Sequence, residues 1–313
     1  MRTVFNRRGF ATIAAALVGA ALVGLSVAVF ERYGWSLFLG VPVVVSFLTA
    51  FFYSYGREVS FFSAYRFACL SLFILGALIL LFALDGLICL IMASPLALLL
   101  ALPGVWIGRL VGQAQNRGPS VPLVVLVAAL LPGLVAFDSH YAAQAPIRSV
   151  TTSVFVDASP ARVWETVIAF PKITEPPRDL FRWGIAYPIE ARIEGSGIGA
   201  VRYCTFSTGD FVEPITAWEP PRLLAFDVAK NPPPMEELSL YEKVSAPHLH
   251  GHMVSHRGEF RLHEENGRCR LQGTTWYSHS LSPEWYWGPI SDQIIHRIHR
   301  RVLEHIARTV ELR

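Results

Sequence analysis

The chain is 313 residues long, 52% hydrophobic and 16% charged, with a mean hydropathy of +0.40. That composition excludes an ordinary soluble enzyme, points to a membrane protein, and leaves length for two domains. Charge is segregated: residues 1–146 hold eight Lys/Arg and four Asp/Glu, residues 147–313 nineteen and twenty, so the near-neutral second half gives no electrostatic case for nucleic acid.

Phe10 to Phe30 carries no charge and is long enough to span a bilayer, which takes roughly 20 residues. Trp35 to Tyr55 is a second such run, with aromatic residues at both ends. From Phe67 to Ile107 the only charge is Asp85. As one helix this run would be roughly 60 Å long, about twice a hydrocarbon core, so two spans turning at Asp85–Gly86 are expected. Val121 to Phe137 is a shorter fifth span. Pro42, Pro95, Pro103 and Pro132 lie within these runs and imply kinks. With the N-terminus inside, the inner segments hold seven arginines (2, 7, 8, 57, 66, 109 and 117) and the outer turns only Arg32. An odd number of spans then puts everything after Phe137 outside. The expectation is an integral protein of the plasma (inner) membrane, with a cytoplasmic N-terminus and an extracytoplasmic second domain. The opening NRRGF resembles a twin-arginine export signal, but no small-residue cleavage site follows, so a signal anchor is the simpler reading. No span carries an internal Lys, Arg, Glu or His, which argues against a transporter or channel.

After a linker (Asp138 to Pro146) the hydrophobic period changes to two. Val150–Val156 reads as a strand, and Asp157-Ala158-Ser159-Pro160 starts a short helix carrying Val163, Trp164 and Val167. Strands follow over Ile185–Ile193, Ala200–Thr208, Phe211–Trp218 and Leu223–Val228, separated by Gly- and Pro-rich turns. Asn231–Gly251 reads as an inserted loop, and His252–Leu262 with Cys269–Leu281 as a hairpin across Glu265-Asn266-Gly267. Ser282 and Pro283 then signal a long amphipathic helix to Val310, its stripe formed by Ile290, Ile294, Ile298, Val302, Ile306 and Val310. An antiparallel sheet with one polar face must bury the other, and this helix is the one element large enough to cover it.

The segments SVFVDASPARVWETV, VRYCTF, FVEPITAWEPPRLLAFDV and TTWYSHSLSPEWYWGPISDQIIHRIHRRVLEHI together resemble the polyketide cyclase/dehydrase and lipid-transport branch of the START/Bet v 1-like (SRPBCC) superfamily. The resemblance covers about residues 148–312. It implies a helix-grip: a curved seven-stranded antiparallel sheet around the C-terminal helix, enclosing an apolar cavity for a hydrophobic small molecule or lipid. The expected architecture is therefore an α-helical membrane region of about five transmembrane helices (1–140) followed by an α+β helix-grip domain (147–313).

Strand alternation selects candidate cavity residues. Tyr277 and His279 share a phase with Cys269 and Leu271, and His252 and His256 share one with Phe260 unless Gly258 is a bulge that reverses it. Glu213 shares a phase with Phe211 and Ile215; beside His252 or His279 it would make an acid/base pair for cyclisation or dehydration, and otherwise it is an edge-exposed carboxylate. Tyr187, Tyr203, Phe226, Tyr277 and Trp287 suit a pocket wall and equally a plain core. The alternate histidines, with His248 and His250, admit a metal, a polar lining or ordinary structural roles; without a carboxylate or Cys at ligand spacing, no metal is expected. The four cysteines have no CxxC spacing and read as buried free thiols. No phosphate loop, GxSxG elbow or HExxH appears, and no cofactor is expected. Three functions fit: a membrane-anchored binder of a hydrophobic small molecule or lipid, a polyketide cyclase/dehydratase-like enzyme, and a sensor or assembly module without a pocket. The expected partners are a lipid bilayer and that ligand, not nucleic acid.

Overall fold

The computed structural model describes residues 7–24, 26, 34–114, 145–239, 241 and 251–312. They form two compact units, one from residues 1–144, 237–248 and 280–286, the other from 145–236, 249–279 and 287–313.

The first unit contains α1 (Arg7–Gly24), a π-helical turn (Ser36–Gly40) leading into α2 (Val41–Ser54), α3 (Phe61–Leu81) and α4 (Leu87–Ala114). Among the described residues, three stretches, Ser36–Ser54, Phe61–Leu81 and Leu87–Ala114, are long and apolar enough to cross a membrane, where five were expected over the chain. The first expected span appears as a shorter apolar helix, Gly9–Gly24. Val121–Phe137 lies outside the described residues. The long apolar run does break into two helices: the Asp85 carboxylate accepts the Gly86 N–H (2.7 Å), and α4 starts at the next residue. Its first N–H groups have no partner inside the helix, and Glu237, in the same unit, supplies one by accepting from Ile88 (3.0 Å) and Cys89 (3.3 Å). Gly104, Gly108 and Gly112 recur every four residues along α4 and let the α2 backbone approach; a Cβ on Gly104 would stand 2.6 Å from the Val43 carbonyl oxygen. Thr49 and Ser71 bridge α2 and α3 at 2.8 Å, and each also bonds a carbonyl of its own helix.

The second unit contains β1 (Arg148–Val156), α5 (Pro160–Ile168), a 3₁₀ turn (Asp179–Trp183), β2 (Pro188–Glu194), β3 (Val201–Phe206), β4 (Gly209–Glu219), β5 (Leu223–Asp227), β6 (Met253–Glu265), β7 (Arg268–His279) and α6 (Glu284–Glu311), whose first residues, 284–286, group with the helical unit. The strands form one antiparallel sheet in the order β1-β7-β6-β5-β4-β3-β2. The sheet curls around α6 in a helix-grip arrangement. Pairing of Glu265 with Arg268 leaves Asn266–Gly267 as a two-residue turn, and both take positive φ (54° and 76°), as the tightest hairpins require. α5 buries Val163, Trp164 and Val167, with Trp164 edge-on to Trp218 at 5.7 Å. From α6, Val302, Leu303, Ile306 and Val310 pack with Leu224, Phe260, Leu262 and Leu271 of the sheet. Burial of such side chains stabilises by about 1.5–3 kcal/mol each. α6 begins at Glu284, two residues after the expected Ser282 start, so Pro283 precedes the helix instead of opening it.

Candidate functional site

Toward the middle of α6 the sheet and helix leave a cavity with about 140 Å³ of room for water centres. The helix contributes Ile294, Ile298, Val302 and Leu303, and the sheet contributes Phe206, Phe211, Phe226 and Phe260. Pro232, Pro233 and Pro234 line it from the β5–β6 connection. That connection is held by Asn231, whose amide exchanges two hydrogen bonds with the Ser255 backbone (2.8 and 3.1 Å). An apolar space of roughly 150 Å³ accommodates a benzene-sized guest.

A buried ion pair lies in this apolar wall. β3 and β4 pair Arg202 directly opposite Glu213, and both side chains turn inward. Arg202 is 1% exposed and Glu213 6%. Arg202 Nη1 donates to Glu213 Oε2, and the guanidinium carbon stands 5.4 to 5.6 Å from the ring centres of Phe170, Phe226 and Phe260. The three rings partly offset the desolvation of the cation. Arg202 Nε is buried with no hydrogen-bond partner among the described residues. Burial pushes the Glu213 carboxyl above its ordinary range against the opposing pull of Arg202, and pushes the neighbouring Cys204 thiol up to about 12.

His299 also lines the cavity. Its Nε2 lies 2.7 Å from Thr275 Oγ1 and its Nδ1 3.1 Å from Thr152 Oγ1, which also contacts His296 Nδ1 at 2.6 Å. Burial, reinforced by His296, lowers the His299 pKa to about 4. A satellite cluster beside the cavity contains Tyr277, Val150 and Ile295. There the Tyr277 hydroxyl donates to Asp292 Oδ1 (2.7 Å), and Arg148 pairs with the same carboxylate.

Of the nine expected ligand-binding residues, Glu213 and Phe226 line the cavity; the other seven do not. Tyr203 takes the opposite phase to Arg202 and lies under Arg192, 4.1 Å from the guanidinium carbon to the ring centre. Tyr187 precedes β2, lies under the Arg301 guanidinium (5.3 Å) and meets the Phe181 ring at a tilt (5.9 Å). In β6 the register shifts between Ser255 and Arg257, two residues before the suspected Gly258, which leaves His256 exposed and bonded to Ser278 Oγ (2.8 Å). Met253 and Ser255 line the cavity in its place, and His252 sits just ahead of the strand. Tyr277 is fully buried in the satellite cluster, and His279 is buried 6.2 Å from its ring. Trp287 is buried near the start of α6.

The expected approach of His252 or His279 to Glu213 inside the cavity is therefore not assembled. Sequence reading missed Arg202, Cys204 and His299. The signals were present: Arg202 shares a strand phase with Cys204, and His299 falls four residues after Ile295 and four before Leu303. Among the described residues no group of three His, Cys, Asp or Glu could hold a metal; His248 and His250 lie outside them.

No family model and no curated protein matches the chain. Among solved structures it is similar to the Zhui aromatase/cyclase from a Streptomyces species, at 16% identity over 53% of this chain and 94% of that one, with a TM-score of 0.34. It is also similar to truncated norcoclaurine synthase from Thalictrum flavum, at 15% identity over 53% and 94%, with a TM-score of 0.33.

Proposed function

We propose that the protein is a membrane-anchored binder of a hydrophobic small molecule or lipid, held between the curled sheet and α6. The observation that carries this reading is the cavity, walled mainly by Phe, Ile, Val and Pro side chains. Arg202–Glu213, Cys204 and the His299–Thr275 contact are among its polar groups, and Asn231, Ser255, Arg257, Glu259 and Thr274 are also on its lining. A space walled by Phe and Ile side chains favours an apolar guest by removing its surface from water, and the few polar groups orient it. Arg202 Nε, a donor without a partner, supports a guest with an acceptor oxygen at its buried end. The three apolar helices are the proposed anchor. The loop arginines and a fifth span would put the cavity unit on the outer side, which a reporter fused after Leu312 would check.

The test uses the full chain purified in a neutral detergent. Solvent extraction and mass spectrometry should recover a discrete apolar compound, and Ile298→Trp, which fills the cavity, should abolish its recovery with the melting temperature retained. Equal recovery from the wild type and the filled variant would sink the proposal.

A further inference from the structure

A second depression of different chemistry runs along the outer flank of α6 against residues 173–181, with about 780 Å³ of room for water centres. Arg178, Arg297, Arg300, Arg301 and Arg308 line it together with Glu175, Asp179 and Glu304, five cations against three anions. The carboxylates pair Arg308 (3.0 Å, Glu175) and Arg297 (3.1 Å, Asp179), whereas Arg300 stands 3.9 Å from Glu304. Arg301 donates to the carbonyls of Glu175 and Pro188 and shares the Glu175 carboxylate's field with Arg308, which holds the direct ion pair. Arg178, exposed, and Arg182, on the adjoining 3₁₀ turn, form no ion pair among the described residues. The same turn presents two apolar side chains to solvent: Trp183 is 56% exposed and Leu180 37%.

A solvated charged face accounts for the arginines but not for the tryptophan. Unpaired arginines interleaved with exposed Leu and Trp match the interfacial layer of a bilayer, where indoles sit at headgroup depth and guanidinium groups fork onto phosphates. We propose that this groove and the Leu180–Trp183 turn dock on the surface of an anionic phospholipid bilayer, the arginines taking lipid phosphates. The commitment to lipid over a soluble phosphate rests on the two apolar side chains, which a soluble anion leaves uncovered, and on the apolar helices of the same chain.

The experiment tethers the full chain in nanodiscs of phosphatidylcholine and offers fluorescent vesicles of pure phosphatidylcholine or with about 30% phosphatidylglycerol, near physiological salt. Anionic vesicles should be captured and neutral ones not. At roughly five-fold per surface cation, Arg178→Ala with Arg300→Ala should weaken capture about 25-fold. Leu180→Ser with Trp183→Ser, which leaves every charge in place, should weaken it as well, so a fold defect in the arginine variant would not hide the answer. Equal capture of both vesicle types, or anionic capture unchanged in both variants, overturns the proposal. So does binding of soluble glycerophosphoglycerol, sensitive to the arginine variant, without any vesicle capture; that result would mark a soluble-phosphate site.

Discussion

Arg202 and Glu213 show how a single register decides the chemistry of a cavity. In VRYCTF either alternating set can be read as the inner one, and aromatic content favours Tyr203; the buried member is instead the arginine, whose opposite residue on β4 is the carboxylate that accepts it. Breaking such a pair strands a charge in low dielectric. Arg202→Met alone should lower stability by about 3–5 kcal/mol, and Arg202→Met with Glu213→Leu should recover much of that loss. Chemical unfolding followed by fluorescence of the second unit checks this, and equal losses in single and double variants would refute the coupling. His299 gives a pH-dependent companion. Its pKa is lowered to about 4 from the ordinary 6.5, so below pH 6.5 the unfolded chain takes up the proton first. Stability from this group is complete above 6.5 and falls as pH drops toward 4, by up to about 3 kcal/mol. His299→Gln should flatten that limb of the stability–pH curve relative to wild type; an unchanged slope would count against a buried neutral imidazole.

At the level of elements, hydrophobic period carries most of the information. The apolar runs, the strand series and the terminal helix are all legible because burial on one face imposes a period of two or 3.6. What period cannot show is a one-residue insertion: the shift at Ser255–Arg257 sends His256 outward and makes a face drawn from alternation wrong beyond that point. Close helix contact is likewise hidden, because it depends on the partner. Gly108 of α4 lies against the Phe47 backbone, which cannot rotate away as a side chain would. Gly108→Leu should therefore separate α2 from α4, costing about 1–3 kcal/mol or more. Cysteine crosslinking between the Phe51 and Val111 positions, which pack in one cluster across α2 and α4, should fall sharply in that background, whereas Gly9→Leu, with open space around it, should leave it unchanged.

Across the whole chain, the sequence distinguishes a helical apolar half from a sheet-bearing half, and the resemblance supplies the order of the second half's elements. The resemblance also implies a cavity, but not that Ile294 and Ile298 are among the helix residues that border it. A cavity is what remains when two curved layers fail to meet, and no single residue encodes that gap. The sheet's own order has a consequence for biosynthesis. β1 is the first strand of its unit to leave the ribosome, yet its partner is the last, and the pairing of Arg148 with Tyr277 spans 129 positions (277 − 148). Only β2 through β6 can assemble beforehand, by neighbour-to-neighbour pairing. A nascent chain halted at Gly267 would thus carry β1 unpaired and α6 unmade, and pulsed proteolysis should cut it between Arg148 and Val156, a segment that becomes protected once β7 emerges.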